Sequence, residues 1–125
     1  MREMAQTRLF RYIRGYDPAV DAFKPRPAQS YDLVVCLDVL DQLESEFVEP
    51  AVRDVAQFTG HFALFDVITV QKPALAHLNP RSAQTWREII DRHMRVDEAT
   101  IRPATPEEIE QGACPERVII AAAPR

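Results

Sequence analysis

The sequence contains little glycine and little cysteine, and each shortage excludes a class of site. Only Gly15, Gly60 and Gly112 occur among 125 residues, and no Gly-x-Gly pattern is present. A glycine-rich turn, in which the backbone must approach a phosphate or nucleotide closely, is therefore not encoded here. The two cysteines, Cys36 and Cys114, lack metal-ligand spacing and are too few for a disulfide framework.

Long apolar runs and a strong positive charge are also missing. No run approaches the roughly 18 apolar residues of a membrane span, and the N-terminal octapeptide lacks the apolar segment of a signal peptide. We therefore expect a cytoplasmic protein. The net charge of −4 makes nonspecific nucleic-acid binding unlikely as a main role, although cations concentrate in the first quarter of the chain. They form either a solvated arm or a docking arm for an acidic partner or a phosphate backbone; they are Arg2, Arg8, Arg11, Arg14, Lys24 and Arg26.

The most informative stretch is residues 31–40, Tyr-Asp-Leu-Val-Val-Cys-Leu-Asp-Val-Leu. Its middle, Leu33–Leu37, is an unbroken apolar run, which is typical of a strand covered on both faces in a parallel sheet. A buried helix segment could give the same run. Asp32 before it and Asp38 after it favour a strand that carries a carboxylate to the carboxyl edge of the sheet, where open α/β folds bind ligands.

Downstream of this stretch, helical and strand patterns alternate. The predicted elements are a helix from Pro50 to the terminating Gly60, a strand over His61–Val70, a helix after the N-cap Ser82, a strand over Val96–Ile101, a short helix from Thr105 to Gly112 and a strand over Arg117–Ala123. The alternation predicts one α/β domain over residues 1–125. In it, residues 1–30 are an N-terminal arm with a short strand near Phe10–Tyr16 and a Pro-rich connection, and residues 31–125 form the core.

Two of these segments resemble a known family. Residues 31–43 are similar to the fourth-strand motif of class I S-adenosylmethionine-dependent methyltransferases, in which a Tyr-Asp-Leu-Val strand leads into Asp-Val-Leu-Glu-His-Leu. Residues 14–18, Arg-Gly-Tyr-Asp-Pro, resemble the end of the family's second strand. The resemblance runs from Arg11 onward. It implies a truncated Rossmann-like methyltransferase sheet, mostly parallel, with a C-terminal antiparallel hairpin whose final strand lies beside the fifth.

The resemblance does not include the family's first strand and glycine-rich cofactor turn, for which there is no room ahead of Arg11. Two functions follow as alternatives. The chain is either a methyltransferase-like protein that has lost S-adenosylmethionine binding and acts as a protein-binding or regulatory module, or a methyltransferase completed by a partner chain or a domain swap. The missing turn favours the first, and hence no cofactor for the isolated chain, with S-adenosylmethionine as the alternative. A nucleic-acid-binding remnant that uses the N-terminal arginines is a weaker third possibility.

Three residues are candidates for site roles that the resemblance implies. Asp17 matches the acidic residue that binds the cofactor ribose, or it begins a turn with Pro18. Asp38 lies where the active-site mouth is expected, or it caps the following turn. His77, followed by Trp86, resembles a His…Trp pattern that borders the acceptor pocket in some members, or it is an exposed loop histidine. We therefore expect Asp17 to bind cofactor and Asp38 and His77 to be catalytic in any enzyme built on this chain, without a metal.

Asp41-Gln42 stands where the family often has Glu-His, so a general base that relies on that imidazole is lost. The missing first strand has a further consequence, because in the family it covers one edge of the strand that Leu33–Leu37 resembles. An open apolar edge invites pairing with another chain. Either the strand near Phe10–Tyr16 closes the edge or a second copy does, and we expect a homodimer.

Overall fold

The computed structural model describes residues 15–16, 25–70 and 79–125. Its elements are β1 (Tyr31–Leu37), a 3-10 helix (Leu40–Gln42), α1 (Ser45–Phe58), β2 (Thr59–Ile68), α2 (Ala83–Asp91), β3 (Arg95–Pro103), α3 (Pro106–Glu110) and β4 (Glu116–Ala123). No helix within these ranges is long and apolar enough to cross a lipid bilayer. The predicted α/β fold is confirmed.

The four strands form one sheet in the order β1-β2-β4-β3. β1 and β2 are parallel, whereas β4 is antiparallel to both β2 and β3. The last strand is therefore inserted between β2 and β3, as the resemblance implied for the C-terminal hairpin. β4 can occupy this interior position because its apolar run from Val118 to Ala123 offers buried or half-buried side chains on both faces.

Helices α1 and α2 cover one face of the sheet, called here the inner face. The paired residues Cys36, Phe65 and Ile120 mark this face on β1, β2 and β4. The main hydrophobic core lies between the helices and this face. Its largest members are Leu40 from the 3-10 helix, Val48 and Val52 from α1, Trp86 and Ile90 from α2, and Met94, Phe65, Val67, Val118 and Ile120. The apolar residues that recur at helical spacing in α1 face this core: Val52 and Phe58 are buried, and Val55 is half-buried against it.

No described helix covers the opposite, outer face at β1 and β2, where large apolar side chains are partly exposed. Leu33 and Val35 of β1 alternate with the inward residues, and they are 38% and 39% exposed. Leu37 and Phe62 on the same face are 51% and 58% exposed. β1 and β2 are parallel neighbours as predicted, but β1 forms an outer edge of the sheet that the described strands build, and not an interior strand.

The boundaries of α1 differ from the prediction at both ends. The helix begins at Ser45, so Pro50 is its sixth residue and not its first. The earlier start brings Val48 into the core, where it is 1% exposed, and burial of an apolar face outweighs the cost of one interior proline. At the other end, Thr59 is already extended and Gly60 lies within β2. A Cβ atom on Gly60 would lie 3.1 Å from the carbonyl oxygen of Tyr31, so glycine here permits a close strand approach rather than a helix stop.

The other helix boundaries agree with the prediction. Ser82 caps α2 by accepting a hydrogen bond from the backbone of Thr85. Thr105 and Glu108 form a complete capping box at the start of α3. Gly112, at φ 98°, follows the end of that helix in the left-handed conformation that glycine adopts without strain.

Residues 25–30, the described part of the Pro-rich connection before β1, contact the end of α1 through Arg26. Arg26 donates hydrogen bonds to Asp54, at 2.8 Å, and to Gln57, at 2.6 Å. Its guanidinium carbon lies 4.9 Å from the ring centroid of Phe58, which Tyr16 contacts edge-on at 5.7 Å. The strand predicted near Phe10–Tyr16 lies outside the described residues except for Gly15 and Tyr16, which belong to no strand.

Candidate functional site

The site with the most polar chemistry lies at the carboxyl ends of β1 and β2. Asp38 directly follows β1, and Asp66 lies near the end of β2. Arg117 reaches both from β4: its Nε donates to Asp66 Oδ1 at 2.6 Å, and its Nη2 donates to Asp38 Oδ1. This Asp38–Asp66–Arg117 cluster joins residues that are 79 and 51 positions apart in the sequence.

The backbone of Asp38 positions its carboxylate for this contact. Asp38 has a φ of 57°, a left-handed conformation that aspartate tolerates better than most residues. Its backbone N–H donates to the carbonyl oxygen of Asp66 at 3.1 Å, which extends the β1–β2 pairing by one residue. The chain turns at this point, and the side chain is directed to Arg117.

The electrostatics of the cluster are set by partial burial. Burial, and after it the nearby carboxylate of Asp41, raises the pKa of Asp66, while Arg102 opposes this rise. Burial also lowers the pKa of Arg117, but a guanidinium remains protonated at neutral pH. Arg117 thus donates hydrogen bonds to two carboxylates at once. In this arrangement Asp38 is the acceptor of an ion pair, not a free base facing a ligand.

Asp41 is the most deeply buried charged residue of the site, at 1% exposure. Its Oδ2 accepts a hydrogen bond from the backbone N–H of Ile68 at 2.9 Å, and its carbonyl oxygen accepts from Asn79 N–H at 2.7 Å. Burial is the main cause that raises the pKa of Asp41. From the sequence, Asp41 was notable only because it stands where the resembled family often has glutamate. The one sequence signal of burial was its place between Leu40 and Leu43, both of which pack in the core.

Trp86, which belongs to the His…Trp pattern, and its neighbours Asn79 and Ser82 have structural roles. Trp86 is completely buried, and its indole N–H donates to the carbonyl oxygen of Ile68 at 2.9 Å. Asn79 donates from its side chain to the carbonyl oxygen of Leu43 at 2.7 Å. Ser82 caps the helix. These contacts fix the 3-10 helix, the end of β2 and the start of α2 to one another.

Of the three predicted site residues, only Asp38 lies within the described ranges. Asp17 and His77 lie outside them, so their predicted roles stay predictions. No group of three or more His, Cys, Asp or Glu residues suited to a metal ion occurs in the described part of the chain. Burial, with a smaller contribution from Asp41, raises the pKa of the Cys36 thiol to about 12, so this cysteine is a buried apolar residue and not a nucleophile.

The two histidines among the described residues each pair with a carboxylate. His93 Nε2 lies 3.0 Å from Glu49 Oε1, and this contact joins the segment after α2 to α1. His61 Nδ1 lies 3.0 Å from Asp32 Oδ1 near the amino ends of β1 and β2, where both side chains are largely exposed. Both histidines therefore make contacts between neighbouring elements of the fold.

Comparison with known proteins gives matches at the level of structure alone. No protein-family model and no curated protein matches the sequence. Among solved structures, magnesium protoporphyrin IX methyltransferase (ChlM) from Synechocystis PCC 6803 with bound SAM is 15% identical with a TM-score of 0.59, over 80% of this chain and 42% of that one. N-methyltransferase NodS from Bradyrhizobium japonicum WM9 in complex with S-adenosyl-L-homocysteine is 15% identical with a TM-score of 0.62, over 85% and 52%. The CMeT domain of the citrinin polyketide synthase is 17% identical with a TM-score of 0.55, over 77% and 28%.

The chain spans about half or less of the length of these methyltransferases. At such low identity the similarity establishes the fold and no activity. Sheet order and the inserted last strand agree with the arrangement that the motif at residues 31–43 implied. The chain therefore has the fold of class I S-adenosylmethionine-dependent methyltransferases, over a part of their length.

Proposed function

We propose that this chain is a methyltransferase-like binding module that does not bind S-adenosylmethionine by itself and acts by associating with another protein. The observation that carries the proposal is the open outer face of β1 and β2. Four large apolar side chains there are 38–58% exposed, namely Leu33, Val35, Leu37 and Phe62. A contiguous apolar surface beside an open strand edge is typical of a protein-interaction site.

The polar groups of the chain give little support to a complete cofactor site. The sequence holds three glycines and no Gly-x-Gly pattern, so a backbone cradle for the methionine end of the cofactor is missing from it. The Asp38 carboxylate is paired with Arg117. A ribose contact from Asp17 alone would contribute roughly 1.5–3 kcal/mol, which is too little to offset the cost of ordering a ligand.

Calorimetric titration of the purified chain with S-adenosylmethionine tests the first half of the proposal. We expect no binding heat at protein and ligand concentrations that would detect micromolar affinity. A class I methyltransferase with an intact glycine-rich turn, titrated in the same buffer, is the positive control. Saturable micromolar binding by the isolated chain would contradict the proposal.

A second candidate function is a methyltransferase whose cofactor site is completed by a partner chain or a domain swap. It is favoured by one observation: solved structures of the same fold hold SAM or S-adenosyl-L-homocysteine, and this chain matches only about half of their length. The same titration repeated on a complex with the chain's partner separates the two functions. Binding by the complex alone supports the second.

The nucleic-acid alternative is the least supported. Arg26 is the one cation of the N-terminal group within the described residues, and its guanidinium is already held by Asp54, Gln57 and the ring of Phe58. A side chain with these contacts is poorly placed to contact a phosphate backbone.

A further inference from the structure

The two edges of the sheet have different chemistry. The edge strand β3 carries charges along its length, is interrupted by a register shift between Val96 and Glu98, and ends at Pro103. Charges, bulges and proline are the features that keep a strand edge from pairing with another chain. β1 has a single charged residue, Asp32, at its second position, and no proline. Its pairing with β2 also has a register shift, between Tyr31 and Leu33, but the extra residue there lies on β2 and not on β1. The sequence therefore protects one edge of the sheet and leaves the other suited to pairing.

We infer that β1 pairs antiparallel with β1 of a second copy of this chain, about a twofold axis at Val34. This inference rests on the proposed function and names its partner. In a twofold interface the same patch serves both subunits, so a strip that is apolar over Leu33–Leu37 meets an equally apolar strip. The two four-stranded sheets then form one sheet of about eight strands, with helices α1 and α2 of both copies on the same side.

The charges at the ends of β1 select the register. An axis at Val34, the midpoint of Tyr31–Leu37, pairs the whole strand and places Leu33 opposite Val35 of the second copy. An axis at Val35 would place Asp32 opposite Asp38, and like charges directly opposite each other are destabilising. An axis at Leu33 would place Leu37 opposite Gln29, which lies outside the strand. Only the register centred on Val34 avoids both the like-charge pair and the pairing of a strand residue with a residue outside the strand.

This pairing also joins the outer faces of the two subunits into one continuous surface. Side chains directly opposite each other on one face of an antiparallel pair have Cβ atoms about 4.5–5.5 Å apart. Leu33 and Val35, each more than one-third exposed, would therefore pack against Val35 and Leu33 of the second copy. The exposed apolar area of both subunits decreases without the burial of an unpaired charge.

Light scattering coupled to size exclusion, over a range of protein concentration, tests the dimer. We expect wild-type protein at tens of micromolar to have twice the mass of the chain, and Val35→Asp to be monomeric. Phe47→Asp adds the same charge at a similarly exposed apolar residue on α1 and should remain dimeric. Far-ultraviolet circular dichroism confirms that each variant is folded. A wild-type monomer at these concentrations, or a folded Val35→Asp dimer, would overturn the inference.

Oxidative cross-linking tests the register and does not depend on a charged substitution. In the Val34-centred register, Val34→Cys lies opposite its own copy and should form a disulfide-linked dimer. Val35→Cys lies diagonally from its own copy, at about 7–8 Å, which is beyond disulfide reach. The wild type, with buried Cys36 and Cys114, gives the background. Cross-linking of Val35→Cys in preference to Val34→Cys would overturn the register. A monomer that binds no S-adenosylmethionine would refute the dimer alone, whereas a chain that binds the cofactor would refute the proposed function.

Discussion

At the scale of single residues, Asp41 is the carboxylate on which the local structure depends most. It is 1% exposed, and its Oδ2 is the acceptor for the backbone N–H of Ile68 at the end of β2. Ile68 in turn accepts from the indole of Trp86 through its carbonyl oxygen. The end of β2 is thus hydrogen-bonded to the 3-10 helix on one side and to α2 on the other.

Replacement of Asp41 should separate the role of its acceptor oxygen from that of its charge. Asp41→Ala leaves the buried Ile68 N–H without a partner, and we expect the free energy of unfolding at pH 7 to fall by about 1–3 kcal/mol. Asp41→Asn keeps an acceptor oxygen and should cost less. Urea unfolding followed by circular dichroism measures both variants. An equal loss for the two would show that the charge, and not the hydrogen bond, matters.

The pH dependence of stability follows from the raised pKa of Asp41, whose main cause is burial. A carboxyl whose folded pKa exceeds its unfolded value of about 3.9 stabilises the folded state most when it is protonated. That contribution is lost as the pH rises from the unfolded pKa through the folded one. In the same unfolding experiment, Asp41→Asn should therefore show a flatter stability profile above pH 4 than the wild type.

At the scale of elements, the two helical prolines occupy contrasting positions. Pro106 is at the start of α3, where an unbonded N–H would cost nothing, whereas Pro50 is the sixth residue of α1. A proline at that position removes the hydrogen bond that its N–H would donate to the carbonyl oxygen of Glu46. α1 accepts this cost because its first turn brings Val48 into the core.

The substitution Pro50→Ala should therefore stabilise the protein. A proline in a helix interior is about 3 kcal/mol less favourable than alanine, and its restriction of the unfolded chain returns up to about 1 kcal/mol, so we expect a gain of about 2 kcal/mol in the free energy of unfolding. Pro106→Ala is the matched control and should change stability by less than about 1 kcal/mol. Chemical denaturation measures both. A loss of stability in Pro50→Ala would mean that the ring itself fills a needed contact.

The elements also show what the sequence could and could not predict. Apolar runs and capping residues are local signals, so the strand at Leu33–Leu37, the cap at Ser82, the capping box at Thr105 and the stop at Gly112 were all predicted correctly. The start of α1 was predicted wrongly because Pro50 was placed at the first helical position, although Val48 already lies at helical spacing from Val52 and is buried with it. The contact of Arg117 with Asp66 was not predictable, since it joins residues 51 positions apart.

At the scale of the whole molecule, the two faces of the sheet are unequal. The inner face shares a single core with α1 and α2, whereas the outer face presents exposed Leu33, Val35, Leu37 and Phe62 from the described residues. Apolar side chains that stay exposed on one face add no hydrophobic stabilisation to the single chain. Association at β1 would bury part of this apolar surface and so stabilise the folded chain.

The stability of the whole molecule should therefore depend on its concentration. If folded chains pair through β1 and unfolded chains do not, mass action adds about 1.4 kcal/mol per mole of dimer for each tenfold increase in protein concentration. The midpoint of thermal unfolding of the wild type should rise with concentration, as measured by scanning calorimetry at several concentrations under reversible conditions. Val35→Asp should unfold at one temperature throughout, because its monomer has no partner, while Phe47→Asp should follow the wild type. A concentration-independent midpoint in the wild type would mean that the folded chains do not pair through β1.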